Sequence, residues 1–179
     1  MKKILSLTVI CVLVLGLYAC GSSEPSLVGT TPANSSDSTQ TTAATEEKVF
    51  KPGDTVKLED VVVTLVDVTK STGSTYNKPA DGNIYVLCEF EITNNSDEEL
   101  NISSLLNFEA YCDDYSCDYS FGALLEKGDK GQLDGTVAAG KKMKGVIGYE
   151  LSADWKELEV QFTPDILSDD KIVFVATNS

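Results

Sequence analysis

The 179-residue chain contains no histidine and no arginine; all 14 of its basic residues are lysine. Without histidine there is no Ser-His-Asp or Cys-His relay to activate a nucleophile, and no ordinary His-containing zinc site. Without arginine there is no guanidinium fork for bidentate capture of phosphate or carboxylate. Against 28 acidic residues the lysines leave a formal charge of −14. That is the opposite of the basic footprint that nucleic acid demands. Long apolar runs are also missing. The longest, residues 4–15, falls short of the roughly 20 residues a helix needs to cross a bilayer.

What is present begins with that run. Lys2 and Lys3 precede it, and together they read as a signal peptide over residues 1–19. The stretch Leu17-Tyr18-Ala19-Cys20 resembles a bacterial lipobox, in which the Cys20 thiol takes a diacylglyceryl group and becomes the mature N-terminus. Two acyl (palmitate-type) chains anchor a domain stably where one does not. Cleavage removes Lys2 and Lys3, so 12 lysines face 28 acids and the charge deepens to −16. The expected location is the cell membrane, lipid-anchored and facing outside the cytoplasm.

Residues 20–47, the lipidated Cys and then "SSEPSLVGTTPANSSDSTQTTAATEE", are rich in Ser, Thr, Ala and Asn and nearly free of large apolar side chains. Such composition cannot bury enough surface to offset its conformational entropy. A flexible, disordered linker is expected, with a reach of about 25–30 Å, holding a domain clear of the lipid. The sequons at Asn34, Asn94 and Asn101 carry little weight in a bacterial lipoprotein.

Residues 48–179 form the candidate domain, long enough for one core. Their period is two almost throughout. "VKLEDVVVTLVDVT" (56–69) is apolar on both faces, as a central strand is. In "NIYVLCEFEIT" Ile84, Val86, Cys88, Phe90 and Ile92 face one way while Glu89 and Glu91 face the other. "LLNFEAYC" sets Phe108, Ala110 and Cys112 on one side, and "MKGVIGYEL", "ELEVQF" and "KIVFVAT" follow. Turns such as "KPADGN" and "NNSDEE" separate them. Residues 100–106 and 152–157 hint at helical turns. Seven or so short strands predict an all-β, immunoglobulin-like β-sandwich, without the Cys…Trp…Cys signature of antibody domains.

The segments "KPGDTVKLEDVVVTLVDVTKS", "DGNIYVLCEFEITNNSDEELNISSLL" and "LDGTVAAGKKMKGVIGYEL" resemble the DUF4352 domain of bacterial secreted proteins and lipoproteins. The likeness lies in the "GDTVKL" entry, the "GN-x-Y" strand start, the "NNSDE" turn and the "GTVAAGKK" run, and covers nearly all of 48–179. It implies an immunoglobulin-like, telokin-like fold and brings no enzymatic activity or cofactor with it. The Cys112/Cys117 pair in "YCDDYSCDY" departs from the Gly- or Asp-rich turn expected there.

With Cys20 acylated, Cys88, Cys112 and Cys117 remain in an oxidising exterior, which suggests one disulfide and one spare thiol. Cys112 and Cys117 flank four residues of a hairpin loop, and opposed strand positions lie within disulfide range. Cys88 on an apolar strand face is then a buried thiol. The rival pairing joins Cys88 to Cys112.

The same hairpin gathers Tyr111, Asp113, Asp114, Tyr115, Asp118 and Tyr119, and is the candidate binding surface, since tyrosines supply large, rigid contact area. Its acids raise the question of calcium, but the D-x-D-x-D-G pattern is absent, and no metal ligands are assigned. Two near-motifs fail on context. Gly135–Lys141 has Walker spacing but continues with Lys142 into a strand, and Ser168-Asp-Asp-Lys171 lies in a loop. These features together read as a non-catalytic interaction module for an envelope protein or glycan. The competing possibilities are a carboxylate-based hydrolase, which needs two acids about 5–10 Å apart on a cleft, and a calcium-binding structural or sensing domain.

Overall fold

A computed structural model describes residues 23–30 and 48–178; the residues read above as a signal peptide, Cys20 and residues 31–47 of the expected linker lie outside the described residues. Among the described residues there are twelve strands and one short helix, the all-β sandwich expected from the two-residue period. One sheet runs in the order β1 (Ser26–Thr30), β3 (Asp54–Leu58), β4 (Val61–Ser71), β5 (Asn83–Asn94), β10 (Lys142–Ser152). The facing sheet runs β2 (Val49–Phe50), β12 (Ile172–Thr177), β11 (Glu157–Phe162), β7 (Phe108–Cys112), β8 (Tyr115–Ser116). A separate two-stranded ribbon joins β6 (Leu100–Ile102) to β9 (Gly135–Val137).

The inward faces meet in an aromatic-rich core. Phe90 of β5 lies 5.3 Å from Phe108 and 5.8 Å from Phe174, and Phe108 lies 4.9 Å from Phe162, measured between ring centres. Tilted and edge-on rings of this kind add about 0.5–1.5 kcal/mol per pair beyond the area they bury. Ile84, Val86, Cys88, Phe90 and Ile92 all pack into this core, with Ile84 only partly buried.

The structure departs from the sequence expectations at four places. Residues 56–69 are a hairpin, not one strand: Leu58 pairs with Val61 across Glu59-Asp60, and Glu59 takes a left-handed φ of 50°. Its apolar character on both faces came from two strands read as one. The second face of β5 is covered as well. Tyr85 and Leu87 form a small cluster with Val146, Ala123 and Leu124, the last two supplied by helix α1 (Phe121–Leu124). Residues 100–106 and 152–157 hold β6 and turns, and the helix lies at α1, where Ser120 caps it by accepting from Ala123 N at 3.2 Å. The fourth departure concerns the linker. Ser26–Thr30 is strand β1, paired antiparallel with β3 from Ser26–Lys57 to Thr30–Asp54.

Asn94 shows how the polar interior is satisfied. Fully buried, it donates from Nδ2 to Glu98 O at 2.7 Å and to Val137 O at 2.9 Å, and Oδ1 accepts from Ser96 N at 3.0 Å. A glycan on this sequon has no room.

The register gives the sandwich two distinct ends. Phe162 pairs with Phe108 at one end of β11 and Leu158 with Cys112 at the other. The first end carries the Glu59-Asp60 turn and the 163–170 loop, which meet around Leu58, Pro164 and Asp165. The second carries the Asp113-Asp114 turn and the 152–156 turn, joined by hydrogen bonds described below.

Candidate functional site

The hairpin of β7 and β8 is tighter than its sequence suggested. Tyr111 pairs with Ser116 and Cys112 with Tyr115, leaving a two-residue turn at Asp113-Asp114. Both turn residues are left-handed, with φ of 48° and 70°, as two-residue hairpin turns demand. Aspartate tolerates that region better than most residues, so the four-residue loop expected between the cysteines closes down to two. Cys117 N then donates to Ala110 O at 2.8 Å, which makes Cys112 and Cys117 diagonal neighbours instead of directly opposed ones.

Asp113 ties this turn to the opposite strand. Its Oδ1 accepts from Lys156 N at 3.0 Å and Glu157 N at 2.9 Å, and its own N donates to Glu157 O at 3.0 Å. Its carboxylate is thereby committed to holding the tip in place. Among the described residues no group of three His, Cys, Asp or Glu side chains is placed to hold a metal ion.

The remaining candidates line two concavities that share segment 117–119. One, a cleft of about 520 Å³, is lined by Cys112, Tyr115, Cys117, Asp118 and Tyr119 together with Phe121 and Glu150. Tyr115 is 80 % exposed and Phe121 70 % exposed, and the Tyr119 ring meets the Phe121 ring edge-on at 4.9 Å. The other, about 310 Å³, shares Cys117, Asp118 and Tyr119 with the first and adds Tyr111, Glu109 and Leu105. Tyr119 is only partly exposed, because its backbone bridges to Tyr149. Asp114 stands at the exposed tip and lines neither.

Phe121 and Glu150 were not legible as site residues. "SFGALL" reads as an apolar stretch with a Ser cap, and nothing in it marks Phe121 as the ring left outside. Glu150 sits in a strand and reaches the cleft only through the β5–β10 pairing, where its Oε1 accepts from Ala80 N at 2.8 Å.

The three thiols of Cys88, Cys112 and Cys117 are free in this structure. Cys112 and Cys117 are neighbours that influence one another's thiols, and Cys117 Sγ donates to Tyr115 O at 3.5 Å. Burial, followed by the neighbouring Cys112, pushes Cys117 up to about 12. Burial and then Asp113 raise Cys112, while burial and then Asp67 push Cys88 up to about 12. These thiols stay protonated at neutral pH and are poor nucleophiles. The cleft therefore offers aromatic contact area and acidic acceptors, suited to a ligand with an apolar face and hydrogen-bond donors.

A second cleft, about 650 Å³, opens on the side of the sandwich between Val49, Val68, Trp155 and Val175, rimmed by Lys51 and Lys70. Trp155 is buried, and its Nε1 has no hydrogen-bond partner among the described residues.

A two-sheet β-sandwich with an aromatic cleft at one hairpin end is the class that fold and site define. The family model for a domain of unknown function, DUF4352, matches residues 50–172, and the chain belongs to that family. No curated protein matches it in sequence. Among solved structures it is similar to a candidate lipoprotein, ycdA, from Bacillus subtilis subsp. subtilis str. 168 (TM-score 0.56, 19 % identity), over 66 % of this chain and 37 % of that one. It thus spans well under two thirds of ycdA. The yjhA protein from Bacillus subtilis is similar over 70 % of this chain and 97 % of its own (TM-score 0.54, 17 % identity). At these identities the likeness is one of fold.

Proposed function

We propose that this protein is an extracytoplasmic lipoprotein, anchored through Cys20, whose sandwich binds a protein or glycan of the cell envelope without catalysis. The observation that carries the binding reading is the pair of exposed rings, Tyr115 and Phe121, flanking the hairpin cleft. Large rings left in water, one on the hydrogen-bonded hairpin and one at the start of the capped helix α1, supply contact area at low entropic cost on binding. The raised thiol values and the absence of histidine from the sequence favour binding over nucleophilic chemistry. The lipoprotein reading draws support from the lipobox-like residues and from the likeness to ycdA.

Two experiments test these parts separately. A photo-crosslinking amino acid placed at 115 or 121 in cells is expected to give a discrete adduct that the same probe at 159 does not give. Equal adducts at all three positions, or none, would remove the cleft from consideration. Metabolic labelling with an alkyne fatty acid is expected to mark the wild-type protein and not Cys20→Ala. Absence of label from the wild type would overturn the anchor.

A further inference from the structure

Three observations meet at the end of the sandwich opposite the aromatic hairpin. The first is where the chain arrives. Ser23 N donates to Asp170 Oδ2 at 3.1 Å, Ser23 Oγ to Glu59 Oε1 at 2.9 Å, and Glu24 pairs with Lys48 Nζ at 3.1 Å. From there β1 runs along the edge of β3.

The second is length. Only three residue steps separate Cys20 from Ser23, at most about 11 Å of extended chain. The headgroup zone on each side of a bilayer is itself about 5–7 Å deep. A lipid on Cys20 therefore leaves the Ser23 end of the domain no farther from the bilayer than about the depth of that zone. The 25–30 Å of free reach expected from the linker composition is cut short by the pairing of β1.

The third is what that end exposes. Leu167 is 92 % exposed, Leu106 70 % and Ile166 59 %. Leu106 and Ile166 line one shallow apolar depression of about 370 Å³ together with Leu100 and Pro164. That depression shares Pro164 and Asp165 with the hollow beside Glu59 and Asp170 where Ser23 is held. Large aliphatic side chains on two adjoining turns have no fold-stabilising reason to stand in water.

We propose that this end, formed by Leu106 and the Ile166-Leu167 turn, is a lipid-docking surface seated in the headgroup–acyl boundary, with β1 as its short leash. The inference rests on acylation of Cys20 as read above. Apolar side chains of this kind are accommodated in that boundary. The leash raises the local concentration of bilayer at the patch, so a weak contact suffices. Asp165, Asp169, Asp170 and Glu59 surround the patch, so the favoured surface is zwitterionic, and anionic lipid opposes docking within a Debye length of about 8 Å. Seated this way, the Asp113-Asp114 hairpin at the far end of β7 and β11 points away from the bilayer.

The test uses the full-length, acylated protein in phosphatidylcholine vesicles whose acyl chains carry bromine, a contact quencher of tryptophan. L167W is compared with Y115W, and unchanged protein supplies the Trp155 background. Quenching several-fold stronger for L167W than for Y115W is expected, weakened by at least twofold when anionic lipid is added at low salt. A twenty-residue Gly/Ser insert after Ser22, with a reach of about 22–27 Å, is expected to reduce L167W quenching at least twofold. Acylation is measured by mass on the same samples. Acylated protein with L167W and Y115W quenched equally overturns the surface and leaves the anchor standing; absence of the acyl group overturns both. Unquenched L167W in protein that crosslinks as a dimer assigns the patch to a second copy and overturns lipid docking.

Discussion

Replacing Asp113 separates the two roles its position combines, backbone shape and hydrogen bonding. Its carboxylate accepts from Lys156 N and Glu157 N. Hydrogen bonds to a charged group contribute about 1.5–3 kcal/mol when buried, but solvent screening at this exposed site reduces each to about 1 kcal/mol. The left-handed φ of 48° adds about 1 kcal/mol against a residue such as alanine. Asp113→Ala loses both contributions and should destabilise the domain by about 3 kcal/mol. Asp113→Gly keeps the turn and loses the bonds, costing about 2 kcal/mol. Asp113→Asn keeps an acceptor oxygen and a tolerance for left-handed backbone, and should cost under about 1 kcal/mol. At about 3–5 °C per kcal/mol for a domain of this size, thermal melts resolve the three. Equal losses for Ala and Gly would refute the contribution of backbone shape, and an Asn variant as damaged as Ala would refute the hydrogen-bond account.

Other residues give sharper single tests. A Cβ at Gly148 would lie 2.7 Å from Ala123 Cβ, so Gly148→Ala should cost about 1–3 kcal/mol by overpacking and displace α1 with Phe121; a melt should show recovery on adding Ala123→Gly. Mild oxidation is expected to join Cys112 to Cys117, stabilising by about 2 kcal/mol through a short closed loop, and titration of the denatured protein should then find Cys88 as the one remaining thiol of the three. Burial works to raise the Glu89 carboxyl, but hydrogen bonds and charge from Lys130 and Lys144 outweigh it and hold the group below its ordinary value. A depressed carboxylate stabilises above its unfolded value of about 4.3 and loses that contribution as pH falls through the folded value. The stability gap between wild type and Glu89→Gln should therefore shrink on acidification from about pH 6 to about pH 3; a constant gap would refute the ion pairs' role.

The strands were legible because alternation survives in them: Phe90, Ile92, Phe108 and Ala110 all face inward where the pattern set them. What alternation cannot report is whether an outward face is covered. The face of Glu89 and Glu91 also carries Tyr85 and Leu87, whose cover, α1, is four residues long and brings its apolar pair from more than thirty positions away. The hairpin site was half legible for a related reason. Tyrosines and acids announce surface, yet the φ values of Asp113 and Asp114 set the register, and the register decides that Tyr115 enters one cleft while Tyr111 enters the other.

Strand β1 has the widest consequence for function. "SLVGT" lies in a stretch whose composition argues for a coil, and all five of its residues are exposed. It buries little and is held by ladder hydrogen bonds to β3 and by the Ser23 contacts. Composition weighs side-chain burial and cannot register an edge whose unpaired backbone groups accept a strand of nearly any sequence. If Cys20 is acylated as proposed, the pairing turns a long tether into a short one and fixes which end of the sandwich that anchor enters. A domain free to tumble on a 25–30 Å coil would present every face equally. Under the proposed anchoring, one held at Ser23 would present the Tyr115–Phe121 cleft outward, where the proposed envelope partner would meet it first.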